Sequence, residues 1–188
     1  MDRSAVVKTL GISGSLRKGS FNTATLRAAV ELVPEGMAIE IADIASFPLY
    51  NEDVRQAGFP PAVQKLRDQI AAADALLFVT PEYNYSTSGV LKNAIDWASR
   101  PPNQPFDGKP IGIMGATASL WGTTRAQYHL RQSCVYLNMF PINKPEVLIA
   151  QAGGKFDEQG KLTDQTTRDL IRQHLTALRD WTRRLRQG

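Results

Sequence analysis

The stretch GISGSLRKGSFNTATL, residues 11–26, gathers side chains that can bind an anion. It places hydroxyl and amide groups beside two cations, Arg17 and Lys18. An apolar run, residues 5–10, precedes it, and a helix-forming segment follows. A strand, a small polar loop and a helix N-terminus together offer backbone N–H groups and a positive helix end to a phosphate. The candidate ligands are Ser13, Ser15, Ser20, Asn22 and Thr23.

Two common nucleotide-binding patterns do not fit this loop. The Walker A pattern needs a lysine directly after its second glycine, but Ser20 follows Gly19 and Lys18 precedes it. Gly11, Gly14 and Gly19 are too widely spaced for the dinucleotide fingerprint GxGxxG. The loop therefore suits one terminal phosphomonoester better than a pyrophosphate. An ordinary β-to-α turn capped by Ser or Asn is the open alternative.

Five apolar runs alternate with segments of helical periodicity and supply a scaffold for such loops. The predicted strands are residues 5–12, 37–41, 74–80, 111–116 and 146–150. The predicted helices are residues 22–33, 61–72, 88–99, 125–137 and 163–186, and residues 43–60 are predicted to form a long loop. Strands that are apolar throughout are buried on both faces, which is typical of a parallel sheet covered by helices.

The order βαβαβαβαβα predicts an α/β fold: a flavodoxin-like, five-stranded parallel sheet, doubly wound, in a three-layer α/β/α arrangement. The chain has 188 residues, 43% of them hydrophobic, which suits one domain spanning residues 1–188. In such sheets the ligand lies beyond the carboxyl ends of the strands. This rule selects three loops, residues 12–22, 80–87 and 116–124, as the candidate site.

The motif GSLRKGSFN, followed by PEYNYS and LKNAIDW within residues 81–97, resembles the NADPH-dependent FMN reductase family. It is most similar to the bacterial branch that reduces quinones, azo dyes and chromate. The resemblance covers nearly the whole chain and implies a flavodoxin-like domain that binds FMN without a covalent bond. NADPH or NADH would donate a hydride to the flavin, which would then reduce a small-molecule acceptor such as a quinone or chromate.

The same resemblance implies which residues bind FMN. Those at the phosphate would be Ser15, Arg17, Ser20, Phe21 and Asn22. Those lining the isoalloxazine would be Pro81, Glu82, Tyr83, Asn84 and Tyr85, although the two tyrosines could instead pack on a helix or subunit surface. A third loop, residues 118–124 with Ser119, would close over another side of the flavin. Here Leu120 and Trp121 depart from the more glycine-rich versions of the family.

The resemblance also implies dimers or tetramers with flavin sites at subunit borders. Arg125, Tyr128 and Glu146 are the residues expected to meet at such a border, and a half-buried surface position is the alternative for Tyr128. Tyrosine and arginine exposed on one helix are typical of an interface. Trp97, near the end of its predicted helix, is a further interface candidate.

Other catalytic chemistry finds little support in the sequence. A flavin carries the hydride itself, so no catalytic side chain is required, and none is predicted. His129 and His174 are far apart and are expected on helix surfaces. Cys134 is expected to be buried as a small apolar residue rather than to act as a reactive thiol. No cluster has the spacing of a metal site, so no bound metal is predicted.

The charge distribution bears on two alternative functions: binding to nucleic acid or a membrane surface, and electron transfer by a non-enzymatic carrier. The formal net charge is +4, and the segment RDWTRRLR, residues 179–186, holds four arginines. These arginines are expected on the solvated face of the last helix, so binding to nucleic acid or to a membrane surface is not predicted. A non-enzymatic flavodoxin-type electron carrier remains the alternative function, although such carriers are commonly acidic.

The single cysteine and the lack of a signal peptide or membrane span predict a soluble, cytoplasmic protein.

Overall fold

The computed structural model describes residues 5–186. Its strands are β1 (Val7–Ser13), β2 (Met37–Ala42), β3 (Ala75–Val79), β4 (Glu82–Tyr83), β5 (Ser86–Thr87), β6 (Pro110–Ala116), β7 (Phe140–Pro141) and β8 (Val147–Ile149). Its α-helices are α1 (Phe21–Glu31), α2 (Glu52–Gln56), α3 (Pro61–Ala72), α4 (Gly89–Ala98), α5 (Thr124–Tyr136) and α6 (Gln165–Leu185). A short 3-10 helix covers Ala152–Gly154.

The main sheet is parallel, with the order β2-β1-β3-β6 followed by an interrupted fifth position. At that position β7 pairs with the first two residues of β6, and β8 pairs with its last three. The doubly wound, flavodoxin-like α/β fold predicted from the sequence is therefore confirmed. The prediction missed β7, because a strand of two residues is too short to show any periodicity.

Helices cover both faces of the sheet and create two apolar clusters. One cluster packs α1 and α6 against the sheet, through side chains such as Leu26 and Leu175. The other packs α3, α4 and α5, through side chains such as Ile70, Leu91 and Leu130. Every residue of β3 and β6 is buried, as expected for strands covered on both faces.

Two short elements lie inside segments that were predicted to be loops. Helix α2 lies within residues 43–60, where Asn51 caps it by accepting a hydrogen bond from the Asp53 N–H group. The antiparallel hairpin β4–β5 lies within residues 81–87. Both elements are too short to show a hydrophobic pattern in the sequence. They depend on local capping and turn geometry, which only the structure shows.

Two aromatic side chains expected at the surface are buried instead. Trp97 is fully buried and its Nε1 donates to the Pro48 carbonyl at 2.9 Å, so it is not an interface residue. His174 is also buried, with Nδ1 2.8 Å from the Pro145 carbonyl oxygen. The sheet makes room for this ring at Gly112, where a Cβ atom would lie 2.9 Å from His174 Nε2. A sequence pattern cannot show such a complementary gap.

The arginines of α6 largely contact the protein itself. Arg179 Nη1 donates to the Glu35 carbonyl at 2.9 Å, and Arg183 Nη2 reaches the neighbouring Gly36 carbonyl at 3.5 Å. Arg186, just after the helix, pairs with Asp74. Three of the four cations in residues 179–186 are thus used to dock α6, which corrects the expectation of a wholly solvated face. No helix among residues 5–186 is long and apolar enough to cross a membrane.

Candidate functional site

The candidate site lies where three neighbouring strands, β1, β3 and β6, end at the same edge of the sheet. Parallel strands place their carboxyl ends together, so the loops that follow them converge. Residues 14–20 follow β1, residues 80–88 follow β3 with the β4–β5 hairpin, and residues 117–123 follow β6. These are the three loops that the sequence selected.

The first loop leads into the N-terminus of α1 through a chain of hydroxyl groups. Ser13 Oγ lies 2.9 Å from Thr23 Oγ1, and the Ser15 N–H group donates to Ser13 Oγ at 3.3 Å. Ser20 is the N-cap, and its Oγ accepts from the N–H groups of Asn22 and Thr23. The first turn of α1 contains no acidic residue. Its positive end is therefore free of competing charge, which fits a bound phosphate.

Two cations border this helix end. Arg17 is exposed, and its guanidinium lies 5.8 Å from the centre of the Phe21 ring. Phe21 packs in turn against Phe156, with 5.3 Å between the ring centres. Lys18 is exposed beside Arg17. Arg17 thus lies over the first residue of α1, where a cation can approach an anion at the helix end.

Asn22 has a structural role that the sequence did not indicate. Its Nδ2 donates to the Ala116 carbonyl, and its Oδ1 accepts from the Ala116 N–H group, both at 2.9 Å. The residue is buried, so this pair joins the start of α1 to the end of β6. The Asn22 side chain therefore holds two of the loops together.

The first and second loops are joined by a close backbone approach at Gly14. Ser88, the N-cap of α4, donates its hydroxyl hydrogen to the Gly14 carbonyl at 2.7 Å. A Cβ atom at Gly14 would lie 2.9 Å from Ser88 Oγ and 3.1 Å from Thr80 Oγ1. Sequence reasoning missed Ser88 and Thr80 as site-organising residues. A serine just before a helix-forming run was the available signal for Ser88.

The β4–β5 hairpin turns through two residues that both adopt a left-handed backbone conformation. Asn84 has a φ of 50° and Tyr85 a φ of 65°. This geometry matches a two-residue hairpin turn that usually contains Asn-Gly, and it is unfavourable for tyrosine because of its Cβ atom. The turn leaves Tyr83 and Tyr85 exposed. Backbone strain of this kind concentrates at functional sites, which supports a role for the hairpin.

The Glu82 side chain points toward the N-terminus of α5. Its Oε2 accepts from the backbone N–H groups of Arg125 and Ala126 at 3.0 and 3.2 Å, and Arg125 Nη1 donates to its Oε1 at 3.1 Å. This carboxylate therefore serves the helix end, where the N-cap residue Thr123 makes no side-chain cap bond within the described chain. The backbone of Glu82 takes no part in these side-chain contacts and stays a candidate for lining an isoalloxazine.

Arg125 lies between two aromatic rings of different loops. Its guanidinium carbon is 3.8 Å from the centre of the Tyr85 ring and 5.6 Å from that of the Trp121 ring. Trp121 and Leu120 are exposed in the third loop, as their bulk there suggested. A nearby backbone bond, from the Gln151 N–H group to the Ser119 carbonyl at 2.9 Å, fixes this loop.

The next contacts concern the residues expected at a subunit border, Arg125, Tyr128 and Glu146. Arg125 pairs with Glu82 rather than with Glu146. Tyr128 and Glu146 are both exposed. Gln127 Nε2 donates to the Val147 carbonyl at 2.9 Å, which places the residues next to Tyr128 and Glu146 in contact. This surface is available to a second molecule.

Two other side chains that could be reactive, Cys134 and His129, have the burial and exposure expected from the sequence. Cys134 is buried, and burial raises the pKa of its thiol to about 12, so it is not a nucleophile. His129 is exposed, with Nδ1 3.1 Å from Ser86 Oγ on the hairpin. Within residues 5–186 no group of His, Cys, Asp or Glu side chains could hold a metal ion.

Comparisons with known proteins give consistent results. Residues 7–154 match the sequence model of the family described as NADPH-dependent FMN reductase. The chain is 65% identical over 180 residues to an NAD(P)H-dependent FMN reductase of Pseudomonas aeruginosa, covering 96% of this chain and 97% of that one. It is 46% identical over 186 residues to an NADPH:quinone oxidoreductase of Arabidopsis thaliana, covering 96% and 94%.

A solved structure provides the same comparison in three dimensions. The flavoenzyme NAD(P)H:(acceptor) oxidoreductase FerB of Paracoccus denitrificans superposes with a TM-score of 0.86. The two sequences are 32% identical, and the match covers 95% of this chain and 98% of that one.

Proposed function

Because the chain belongs to the NADPH-dependent FMN reductase family, whose members use FMN and NAD(P)H, we propose that it reduces quinones and related small molecules. Bound FMN would supply the hydride chemistry, accepting two electrons from NAD(P)H and passing them to the acceptor. The observation that carries this proposal is the convergence of an anion-compatible helix end with a strained, aromatic hairpin at one edge of the sheet. The first feature suits the single FMN phosphate and the second suits its flat ring.

We assign the phosphate to the first loop and the start of α1. Ser15 and Ser20 offer hydroxyl groups, the first turn of α1 offers its backbone N–H groups, and Arg17 offers the cation that lies over Phe21. Asn22 ties α1 to β6 and would thereby fix the helix end at the phosphate. In this assignment, phosphate binding and the relative position of two loops depend on one short segment.

We assign the isoalloxazine to the second and third loops. Backbone groups of residues 81–84 would meet the polar edge of the ring, and the aromatic surfaces of Tyr83 and Tyr85 would lie beside it. Ser119 would approach from the third loop. Leu120 and Trp121, which are exposed next to Ser119, would narrow the space left for an acceptor and so affect which acceptors enter.

Two further features belong to this proposal. The exposed cations Arg17 and Lys18 would attract the negatively charged NADPH and anionic acceptors such as chromate. The protein would act in the cytoplasm, where NAD(P)H is available, as a dimer or tetramer with Arg125, Tyr128 and Glu146 near a subunit border.

The first experiment is a spectral titration of the purified protein. The protein is loaded with FMN, freed of excess flavin, and mixed with NADPH or NADH without oxygen. We expect the visible bands of bound oxidised flavin to bleach within the time of mixing, and to return when a quinone is added. Chromate is then tested in the same way, to separate a general reductase from a quinone-specific enzyme.

Two outcomes would contradict the proposal. If the protein retains no flavin after loading, the reading of all three loops as an FMN site is wrong. If flavin is retained but NAD(P)H does not reduce it, while photoreduction accumulates the one-electron reduced form, the electron-carrier alternative is favoured. Ser15→Ala and Arg17→Ala are the variants that link flavin retention to the first loop, because neither side chain is part of the core.

A further inference from the structure

Glu82 joins two parts of the proposed site that the backbone alone does not connect. We propose that Glu82 is a positioning residue: its carboxylate anchors the β4–β5 hairpin to the N-terminus of α5 and thereby fixes the backbone that lines the flavin. This inference rests on the proposed function for the identity of the ligand. The anchor itself is a property of the protein without ligand.

The contacts of Glu82 leave its carboxylate fully engaged. One oxygen accepts two backbone N–H groups from the first turn of α5, at 3.0 and 3.2 Å, and the other accepts from Arg125 Nη1 at 3.1 Å. The Glu82 side chain is only 12% exposed. Charge-assisted bonds to a helix end are among the stronger polar contacts in proteins, and partial burial protects them from screening.

The hairpin needs such an anchor because it is poorly held by its own pairing. Its two strands have two residues each, and a hairpin of that size is not stable alone. Its turn keeps Asn84 and Tyr85 at positive φ values of 50° and 65°, which a tyrosine adopts only when its surroundings impose it. Something outside the hairpin must therefore maintain this conformation.

Helix α5 supplies three separate contacts to the hairpin. Glu82 binds the helix end, the Tyr85 ring stacks on the Arg125 guanidinium at 3.8 Å, and Ser86 Oγ lies 3.1 Å from His129 Nδ1. Glu82 is the one that precedes the turn, and of the three contacts it alone includes backbone N–H groups of α5. Removal of the Glu82 carboxylate should therefore increase the mobility of residues 82–84, whose backbone is assigned to the edge of the isoalloxazine.

A simpler role for Glu82 must be separated from this one. An acidic group near a helix N-terminus stabilises the helix wherever in the sequence it comes from. Thr124 is the first residue of α5 and is exposed, so Thr124→Asp would place a carboxylate at the same helix end. That carboxylate would belong to α5 itself and would hold no part of the hairpin.

The experiment compares Glu82→Ala, Glu82→Gln and the double variant Glu82→Ala/Thr124→Asp with the parent protein. We expect Glu82→Ala to raise the Kd for FMN, measured by flavin fluorescence, by roughly 10–100-fold, as for loss of a charge-assisted hydrogen-bond pair. Glu82→Gln should lose less, because its amide oxygen still accepts from α5. Thr124→Asp should recover the melting temperature of the double variant but leave its FMN affinity low.

A second readout uses the protein without FMN. Chymotrypsin cleaves after aromatic residues, and Tyr83 and Tyr85 are both exposed on the hairpin. We expect the Glu82→Ala protein to be cut there several times faster than the parent, with no recovery in the double variant. Glu31→Ala, which removes an exposed acid at the far end of α1, is the matched control and should leave both readouts unchanged.

The outcomes separate the two proposals. Recovery of FMN affinity and protease resistance by Thr124→Asp would overturn the anchor and leave Glu82 as a helix-stabilising acid. Unchanged affinity and unchanged cleavage in Glu82→Ala would also overturn it. If the parent protein fails to bind FMN at all, the proposed function is wrong, but faster cleavage of Glu82→Ala would still support the anchor and unchanged cleavage would refute it.

Discussion

The side chain of Asn22 joins the start of α1 to the end of β6 through both of its polar atoms. We expect Asn22→Ala to lower the free energy of unfolding by about 2 kcal/mol or more, because it leaves a buried N–H and a buried carbonyl of Ala116 unpaired. Urea denaturation of the protein without FMN measures this loss. If the Asn22 side chain served only to bind the phosphate, Asn22→Ala would lower the affinity for FMN and leave the free energy of unfolding unchanged.

Ser15→Ala is the matched control for Asn22. Ser15 is only half-buried, and its hydroxyl makes one long bond, 3.4 Å, from the Arg17 N–H group. Its loss should leave the unfolding free energy within about 0.5 kcal/mol of the parent value, as for most surface substitutions. Equal stability losses in the two variants would argue against the bridging role of Asn22.

His174 should make the protein sensitive to acid. Burial lowers the pKa of His174 from 6.5 to about 4, partly opposed by its bond to the Pro145 carbonyl. The folded state thus keeps the ring neutral, while the unfolded chain takes up a proton below pH 6.5. Stability that is present above pH 6.5 is therefore lost as the pH falls to about 4. The loss is on the order of 3 kcal/mol, at 1.36 kcal/mol for each pKa unit.

Substitution of each histidine tests this pH dependence. His174→Gln removes the titrating group and keeps an amide that can donate to Pro145. We expect the difference in unfolding free energy between pH 7.5 and pH 5 to become smaller in this variant. His129→Gln changes the other histidine, which is exposed, and should keep the parent difference. An equal pH dependence in all three proteins would show that other groups cause the acid sensitivity.

The sequence predicted which loops converge better than it predicted what individual side chains contact. The three loops were identified because small and hydroxyl residues follow apolar runs, and family resemblance selected residues within them. Asn22 and Glu82 both lie in those loops, and their side chains bond to β6 and α5. Such partners are separated by 94 and 44 residues, so no local pattern contains them.

At the scale of elements, α4 fastens the segment that leads from β2 to α2. Asn93 Nδ2 donates to the Pro48 carbonyl, its Oδ1 accepts from the Tyr50 N–H group, and Trp97 Nε1 also donates to Pro48. Leu49, between these bonded residues, is 85% exposed. We expect Asn93→Ala to lower the unfolding free energy by about 1–2 kcal/mol and to speed amide exchange at Leu49 and Tyr50.

Lys92→Ala, one residue earlier on the same helix, is the control for Asn93. Lys92 forms an exposed pair with Asp96, and such a pair contributes only about 0.3–0.5 kcal/mol. Its removal should leave amide exchange at Leu49 and Tyr50 at the parent rate. Faster exchange in both variants would mean that α4 as a whole had loosened, and that Asn93 had no specific role in fastening the segment.

Elements with a long apolar pattern were predictable, and those held by single contacts were not. β3 and β6 lie within one or two residues of the predicted ends, because burial on both faces demands a continuous apolar run. The two-residue strands β4, β5 and β7 depend on turn geometry and on pairing with distant residues. The motif LKNAIDW was recognised, but its function of holding residues 48–50 required the structure.

At the scale of the whole molecule, the arginine-rich segment, residues 179–186, serves mainly for internal docking. Arg179, Arg183 and Arg186 bind the turn before β2 or the carboxylate of Asp74, so they do not form a free basic stripe. Nucleic-acid recognition needs clustered cations that can reach phosphates, with aromatic residues between them. The arrangement of α6 therefore weakens that alternative and leaves the loop edge of the sheet as the candidate binding surface.

The outer face of α5 is the surface on which we expect a second copy of the chain. Tyr128, Val135 and Tyr136 are 69%, 81% and 84% exposed, and their spacing places them on one side of the helix. Large exposed aromatic residues are enriched at protein interfaces. The mass in solution, measured by light scattering during gel filtration, should therefore be a multiple of the 20.7 kDa chain.

Charged substitutions on this face test whether it forms the interface. Tyr128→Glu/Tyr136→Glu should shift the mass toward that of the single chain, because burying two carboxylates without partners opposes association. Gln173→Glu, on the exposed side of α6, adds a charge elsewhere and should leave the mass unchanged. A parent protein that runs as a single chain at micromolar concentration would refute the expected oligomer. An oligomer that survives the double substitution would place the interface on another face.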